Sequence, residues 1–220
     1  FPYTTLFRSG VKAYASPAEL PEPIDLGVVA VPAEHVLRVA EEAIHAGAKG
    51  LVVLTAGFAE AGPEGEERQR KLVQLVRSHG VRLIGPTCFG LMNTDASCRL
   101  NASLAPALAL SGPAGFLSHS AALGLVILEY AAERGLGFSS FVSAGNRADV
   151  SGNDLLLYWE EDPCTSLAIL YLETFGNPRR FVRIARRMSH KKPILCVKSA
   201  RSRAGRIAAG LKTRAVGGGE

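Results

Sequence analysis

Short apolar runs alternate along the chain with longer stretches in which apolar positions recur at helical spacing. Leu26–Val31 (LGVVAV) has the composition of a buried strand, and Ala33–His45 follows with Val36, Val39, Ala40 and Ala43 on one helical face. Gly50–Gly57 (GLVVLTAG) is the next strand. The helix after it opens near Pro63 and runs through Leu72, Leu75 and Val76, and Val81–Pro86 is a third strand stopped by Gly85-Pro86. A loop-rich stretch, Asn93–Pro113, leads through the joint Ser111-Gly112-Pro113 to a second series. That series predicts strands at Ala114–Ser118, Phe138–Ser143, Leu167–Leu172 and Pro193–Lys198, with helices at Ala121–Arg134, Asn153–Glu161 and Pro178–Ser189. Strands that are apolar on both faces and alternate with helices build parallel sheets covered on both sides. The pattern therefore predicts an α/β protein of two tandem doubly wound parallel-sheet lobes, residues 10–110 and 111–209.

Composition changes the picture in three ways. With 220 residues, 47% hydrophobic and 20% charged, the chain can bury a substantial core and is no disordered tail. The net charge of +5 is unevenly spread: thirteen lysines and arginines and one acid follow Pro178, whereas the first 178 residues hold twelve basic and nineteen acidic residues. That distribution excludes a uniformly basic nucleic-acid binder. On Arg179–Lys192 the apolar positions Phe181, Ile184, Ala185 and Met188 form a core-facing stripe, and the arginines take the other faces of a solvated or acid-docking helix. Four scattered cysteines and five histidines show no ligand spacing, so no metal site is expected and a reducing cytoplasm is. No apolar run reaches the roughly 18 residues of a membrane span. At the start, Phe1–Ser9 (FPYTTLFRS) matches the conceptual translation of a common sequencing-adapter oligonucleotide and is set aside as an artefact. Residues 210–220 lose all periodicity and stay unassigned, and the chain is read as a fragment.

Ligands of open parallel sheets bind beyond the C-terminal ends of the strands, so the strand-to-helix turns carry the candidate chemistry. Val31-Pro32 is explained as a plain structural turn. Leu54-Thr55-Ala56-Gly57 allows close approach to the backbone and is balanced between binding surface and turn. Ser118-His119-Ser120-Ala121 runs from a strand into a helix, where free amides and the helix dipole favour an anion. Serine capping also explains a serine there, but two serines flanking one tight turn favour phosphate. A Ser–His nucleophile is not expected, since the pattern is not GxSxG. Glu173 closes the apolar run LAILYL, has no packing reason to be there, and is placed to orient a cation or an imidazole. The polar loop Gly145–Asn153 is long enough to line a pocket, though turn chemistry explains it equally.

Six segments in order resemble the NDP-forming (ADP-forming) acid–CoA ligases, the acyl-CoA synthetase family related to succinyl-CoA synthetase alpha subunits. They are GLVVLTAGFAE (50–60), RLIGPTCFGLMN (82–93), GFLSHSAALG (115–124), FVSAGNRADVSGNDLLLYW (141–159), LYLETFGNPRRF (170–181) and KSARSRAG (198–205). The resemblance implies a partial CoA-binding Rossmann-like lobe followed by a partial flavodoxin-like ligase lobe. It implies interconversion of acyl-CoA, NDP and phosphate with acid, CoA and NTP through a phosphohistidine. By position, Val31, Pro32, Leu54, Thr55 and Ala56 would contact CoA; Ser118, Ser120 and the amide of Ala121 would cradle phosphate; Glu173 would hold the phosphorylated histidine. ATP/ADP, with its magnesium, would belong to an ATP-grasp domain or subunit outside this sequence; homo- and hetero-oligomers both stay open, and no nucleic acid or membrane partner is implied. The chain departs from the family at Thr87 (usually Asn), His119 (Gln), Ala121 (Gly) and Ala200 (Gly). The phosphorylated histidine belongs just after Ala204–Ala209, where GLKTRA stands instead. The piece is therefore expected not to turn over. An alternative is the ligand-binding regulatory region of a CoA-ligase-like lysine acetyltransferase. A nicotinamide dehydrogenase would need a GxGxxG turn that the sequence lacks.

Overall fold

The computed structural model describes Phe7, Arg8 and residues 11–199. The tail from Ala200 on, and with it the stretch where the phosphorylated histidine is expected, lies outside the described residues, as does most of the Phe1–Ser9 segment. Phe7–Arg8 (β1) pairs with Val11–Lys12 (β2) as a short antiparallel ladder.

The first lobe threads Leu26–Val29 (β3), Ala33–His45 (α1), Gly50–Val53 (β4), Pro63–Ser78 (α2) and Arg82–Ile84 (β5) into a parallel sheet in the order β3-β4-β5. Both helices lay their apolar stripes on one face, where Val36, Ala40 and Ala43 of α1 and Leu72 and Val76 of α2 meet Val29, Leu51, Val53 and Leu83. The sequence leads one to expect helices on both faces and a loop over 93–113. Instead, Gly90–Asn93 (β6) and Leu100–Ser103 (β7) form an antiparallel pair, and the opposite face of β3-β4-β5 packs against it through Val52, Cys88, Ala102, Leu91 and Leu100.

β6 and β7 belong to the second sheet, whose order is β11-β10-β8-β9-β6-β7. Its parallel part consists of Ser111–Ser118 (β8), Phe138–Ser143 (β9), Leu167–Leu172 (β10) and Ile194–Lys198 (β11), joined by Ala121–Glu133 (α3), Gly152–Glu161 (α4) and Pro178–Met188 (α5). The change of sheet falls between Ile84 and Gly90, because β6 continues the second sheet by pairing with β9. This sheet is covered on both faces. Ala114, Phe116, Phe138 and Phe141 pack on α3 through Leu128 and Ala131. Leu117, Val142, Leu170 and Leu172 pack on α4 and α5 through Leu156, Trp159, Ile184 and Met188. Gly115 is required by that second packing, since a Cβ there would enter the Trp159 ring.

Two of the five arginines of α5 are paired within the chain: Arg187 forks onto the buried Glu160, and Arg180 meets Asp154 at 3.0 Å. No helix among the described residues is long and apolar enough to cross a membrane.

Candidate functional site at the strand ends

In the first lobe, β3 and β4 run parallel in register, so their exits lie side by side. The Thr55 hydroxyl donates to the carbonyl of Val31 at 2.7 Å, tying the two turns together. Pro32 and Ala56 are exposed while Val31, Leu54 and Thr55 are half-buried. The backbone turns away at Gly57, whose φ of +101° suits glycine. All five residues expected at a CoA surface therefore share one edge, with their polar groups largely satisfied and their apolar surface outward.

In the second lobe, β8 lies between β9 and β10, with Ser118 opposite Ser143 on one side and Tyr171 on the other. The exits of all three strands converge. The amide of His119 donates to the Tyr171 carbonyl at 3.1 Å, and the amide of Glu173 donates to Nδ1 of His119 at 3.0 Å. The serine turn and Glu173 are thus neighbours. Ser118 itself turns inward: its hydroxyl donates to the Ser120 carbonyl at 2.6 Å and accepts from the Ser120 amide at 3.1 Å, so it braces the turn. Ser120 caps α3, its Oγ accepting from the Leu123 amide at 3.3 Å. Ala121 is the exposed first residue of α3 and is absent from the residues with positive φ, so its methyl is accommodated where the family usually has glycine.

Two side chains that sequence reasoning did not assign shape this rim. Arg147, in the loop after β9, donates from Nη1 to the Thr174 hydroxyl at 2.7 Å, and the same nitrogen lies 3.5 Å from Nδ1 of His119. Burial pushes the Arg147 guanidinium down from its usual range and Glu173 pushes it back up. Glu173 meets His119 through its backbone amide, and its charge acts on Arg147.

His119 is forced neutral. Burial, then the positive charges of Arg147 and Lys198, lower its pKa to about 3. Because Nδ1 accepts from the Glu173 amide, the proton of the neutral ring sits on Nε2. That Nε2 and the Nε of Arg147 are both buried with no hydrogen-bond partner among the described residues. Buried donors without acceptors are costly and rare, and these two sit on adjoining side chains beside the N-terminus of α3. Cys88 has no such readiness: its thiol donates to the Val53 carbonyl, and burial raises its pKa to about 12. Among the described residues no group of His, Cys, Asp or Glu could hold a metal ion.

Residues 111–220 match the family described as "Succinyl-CoA ligase like flavodoxin domain", and residues 8–94 match "CoA binding domain". The chain belongs to the succinyl-CoA ligase-like family. The alpha subunit of acetate–CoA ligase (ADP-forming) I from Pyrococcus furiosus is 37% identical over 95% of the chain and 45% of that subunit. The acetate–CoA ligase (ADP-forming) of Methanocaldococcus jannaschii is 38% identical over 95% of the chain and 29% of that protein. Among solved structures, the dinucleotide-forming acetyl-coenzyme A synthetase 1 of Ca. Korarchaeum cryptofilum, in complex with phosphate and ADP, superposes with a TM-score of 0.89 at 38% identity, covering 98% of the chain and 46% of that protein. The ATP citrate lyase of Methanothrix soehngenii, at 16% identity and a TM-score of 0.65, shares the fold. The chain spans less than half the length of these relatives.

Proposed function

We propose that the chain is the CoA-binding and phosphoryl-handling portion of a cytoplasmic ADP-forming acid–CoA ligase. The parent reaction would interconvert acyl-CoA, ADP and phosphate with acid, CoA and ATP. The observation that carries this reading is the junction of the Ser120 turn with Glu173 at one sheet edge, beside two buried donors that lack acceptors among the described residues. The amides at the start of α3 and the guanidinium of Arg147 are suited to phosphoryl oxygens, with Ser118 and Ser120 fixing the turn. The Glu173 carboxylate is suited to orienting an imidazole that carries the phosphoryl group. Val31, Pro32, Leu54, Thr55 and Ala56 offer the apolar edge on which CoA would lie. Nucleotide, its magnesium and the ATP-grasp partner would be supplied by a further domain or subunit. The relatives named above at 37–38% identity are ligases and a synthetase, which favours catalysis over the regulatory alternative.

Calorimetric titration of the chain with CoA, and separately with inorganic phosphate, tests the reading. Saturable binding of each is expected, with no acetyl-CoA formed from acetate, ATP and CoA, because none of the five histidines stands at the phosphorylated position that the family resemblance implies. Failure to bind either ligand would remove the proposal.

A further inference from the structure

One carboxylate of the first lobe reaches the loop that carries Arg147. Glu60 stands in a short 3-10 turn, Ala59–Ala61, just ahead of α2. Its Oε1 accepts from the amides of Gly57 at 2.7 Å and Phe58 at 3.1 Å and from the Thr87 hydroxyl at 2.6 Å. Its Oε2 accepts from Nδ2 of Asn146, 86 positions along the chain, at 2.5 Å, and the same Nδ2 donates to Gln69 at 2.9 Å. Burial raises the Glu60 pKa, but the bonds from Asn146, Thr87 and Gly57 outweigh it and leave the group an ionised acceptor.

The loop is moulded on this contact. The amide of Asn146 donates to the Pro86 carbonyl at 2.9 Å and that of Ala148 to the Gly85 carbonyl at 3.1 Å, so Arg147 is held on both sides by the first lobe. Gly145 lies so close that a Cβ would strike the carbonyls of Pro86 and Thr87. Arg147 and Thr87 both adopt the left-handed region, with φ of 55° and 57°. Non-glycine residues hold that conformation where surrounding contacts impose it.

We propose that Glu60 is a positioning residue, which clamps Asn146 from the first lobe and thereby holds the Arg147 guanidinium at the anion rim of the second. The inference rests on the reading of that rim as a phosphate seat. It makes the seat a property of both lobes, with the turn that leads from the expected CoA edge forming one end of the clamp.

The test reverses the polarity of the contact. Asn146→Asp sets two carboxylates against each other, and Glu60→Gln/Asn146→Asp restores a donor–acceptor pair with the wild-type net charge. Inorganic phosphate affinity, measured by calorimetry at pH 8, should fall roughly tenfold in the single variant and return to within about threefold in the double. The single variant's defect relative to wild type should shrink by pH 5.5, where the two carboxyls share a proton. Asn146→Ala, which adds no charge, should weaken phosphate several-fold. An unchanged affinity in Asn146→Asp, or a double variant as weak as the single, overturns the proposal. If wild type binds no phosphate, the rim reading fails instead. The clamp is then judged by the 15Nε resonance of Arg147, which should shift in Asn146→Asp and return in the double variant; a resonance indifferent to both changes overturns it.

Discussion

The two strand-end rims differ in how their polar groups are spent. In the first lobe the Thr55 hydroxyl serves the Val31 carbonyl, leaving Pro32 and Ala56 as exposed, mostly apolar surface. In the second, Nε2 of His119 and Nε of Arg147 are buried and have no partner among the described residues. A rim already satisfied recognises a ligand by shape and apolar contact, whereas one holding orphan donors recognises charge. The two sheets thus present strand-end rims of two kinds, in keeping with the proposed division between CoA and phosphate.

The difference can be broken most strongly at Arg147. Arg147→Ala should weaken inorganic phosphate binding by about 2 kcal/mol, some thirtyfold, in a calorimetric titration. CoA binding at the first-lobe rim should stay within about twofold of wild type. Comparable losses of both ligands would mean the rims are not distinct.

Next comes pH. His119 binds its proton with a pKa of about 3 in the folded protein, against an ordinary value of 6.5. Between those values the unfolded chain holds the extra proton, so stability rises with pH through this window and falls as the medium is acidified, by up to about 1.4 kcal/mol per pH unit. His119→Gln should flatten this dependence above pH 4.5, read from urea midpoints at several pH values. An identical slope in both proteins would show that the imidazole is not held neutral. The smallest effect is expected at the satisfied rim: Thr55→Val should cost about 1 kcal/mol of stability by thermal melting, the same with phosphate present or absent. A loss that phosphate reverses would mean that Thr55 acts on the anion rim.

The regular elements were legible because each carries its own periodicity. α1 and β10 begin and end where their apolar spacing places them, at Ala33–His45 and Leu167–Leu172. β6 and β7 were not, since GLMN and LNAS are short, half-polar and flanked by turn residues, and only pairing with β9 makes them strands. Within the site, Glu173 and the Ser120 turn could be found from their positions at strand exits. Arg147 could not. A charge between Asn146 and Asp149 in a glycine-bounded loop has the look of a solvated residue; its side chain meets His119 and Thr174, and the amides on either side of it are held by carbonyls some sixty positions upstream. Glu60 is hidden for the same reason, because local sequence carries no trace of a bond to Asn146. Ser118 illustrates the converse: its sequence position points to the turn, but its hydroxyl is consumed in bracing it.

A groove along α5 lined by Arg179, Arg183 and Arg186 offers an anion a second, more open surface. The decisive measurement is therefore a 1H–15N NMR titration of the chain with inorganic phosphate. The account predicts saturable shifts concentrated at His119–Leu123, Arg147 and Glu173. Shifts confined to the α5 arginines, or none that saturate, would contradict it.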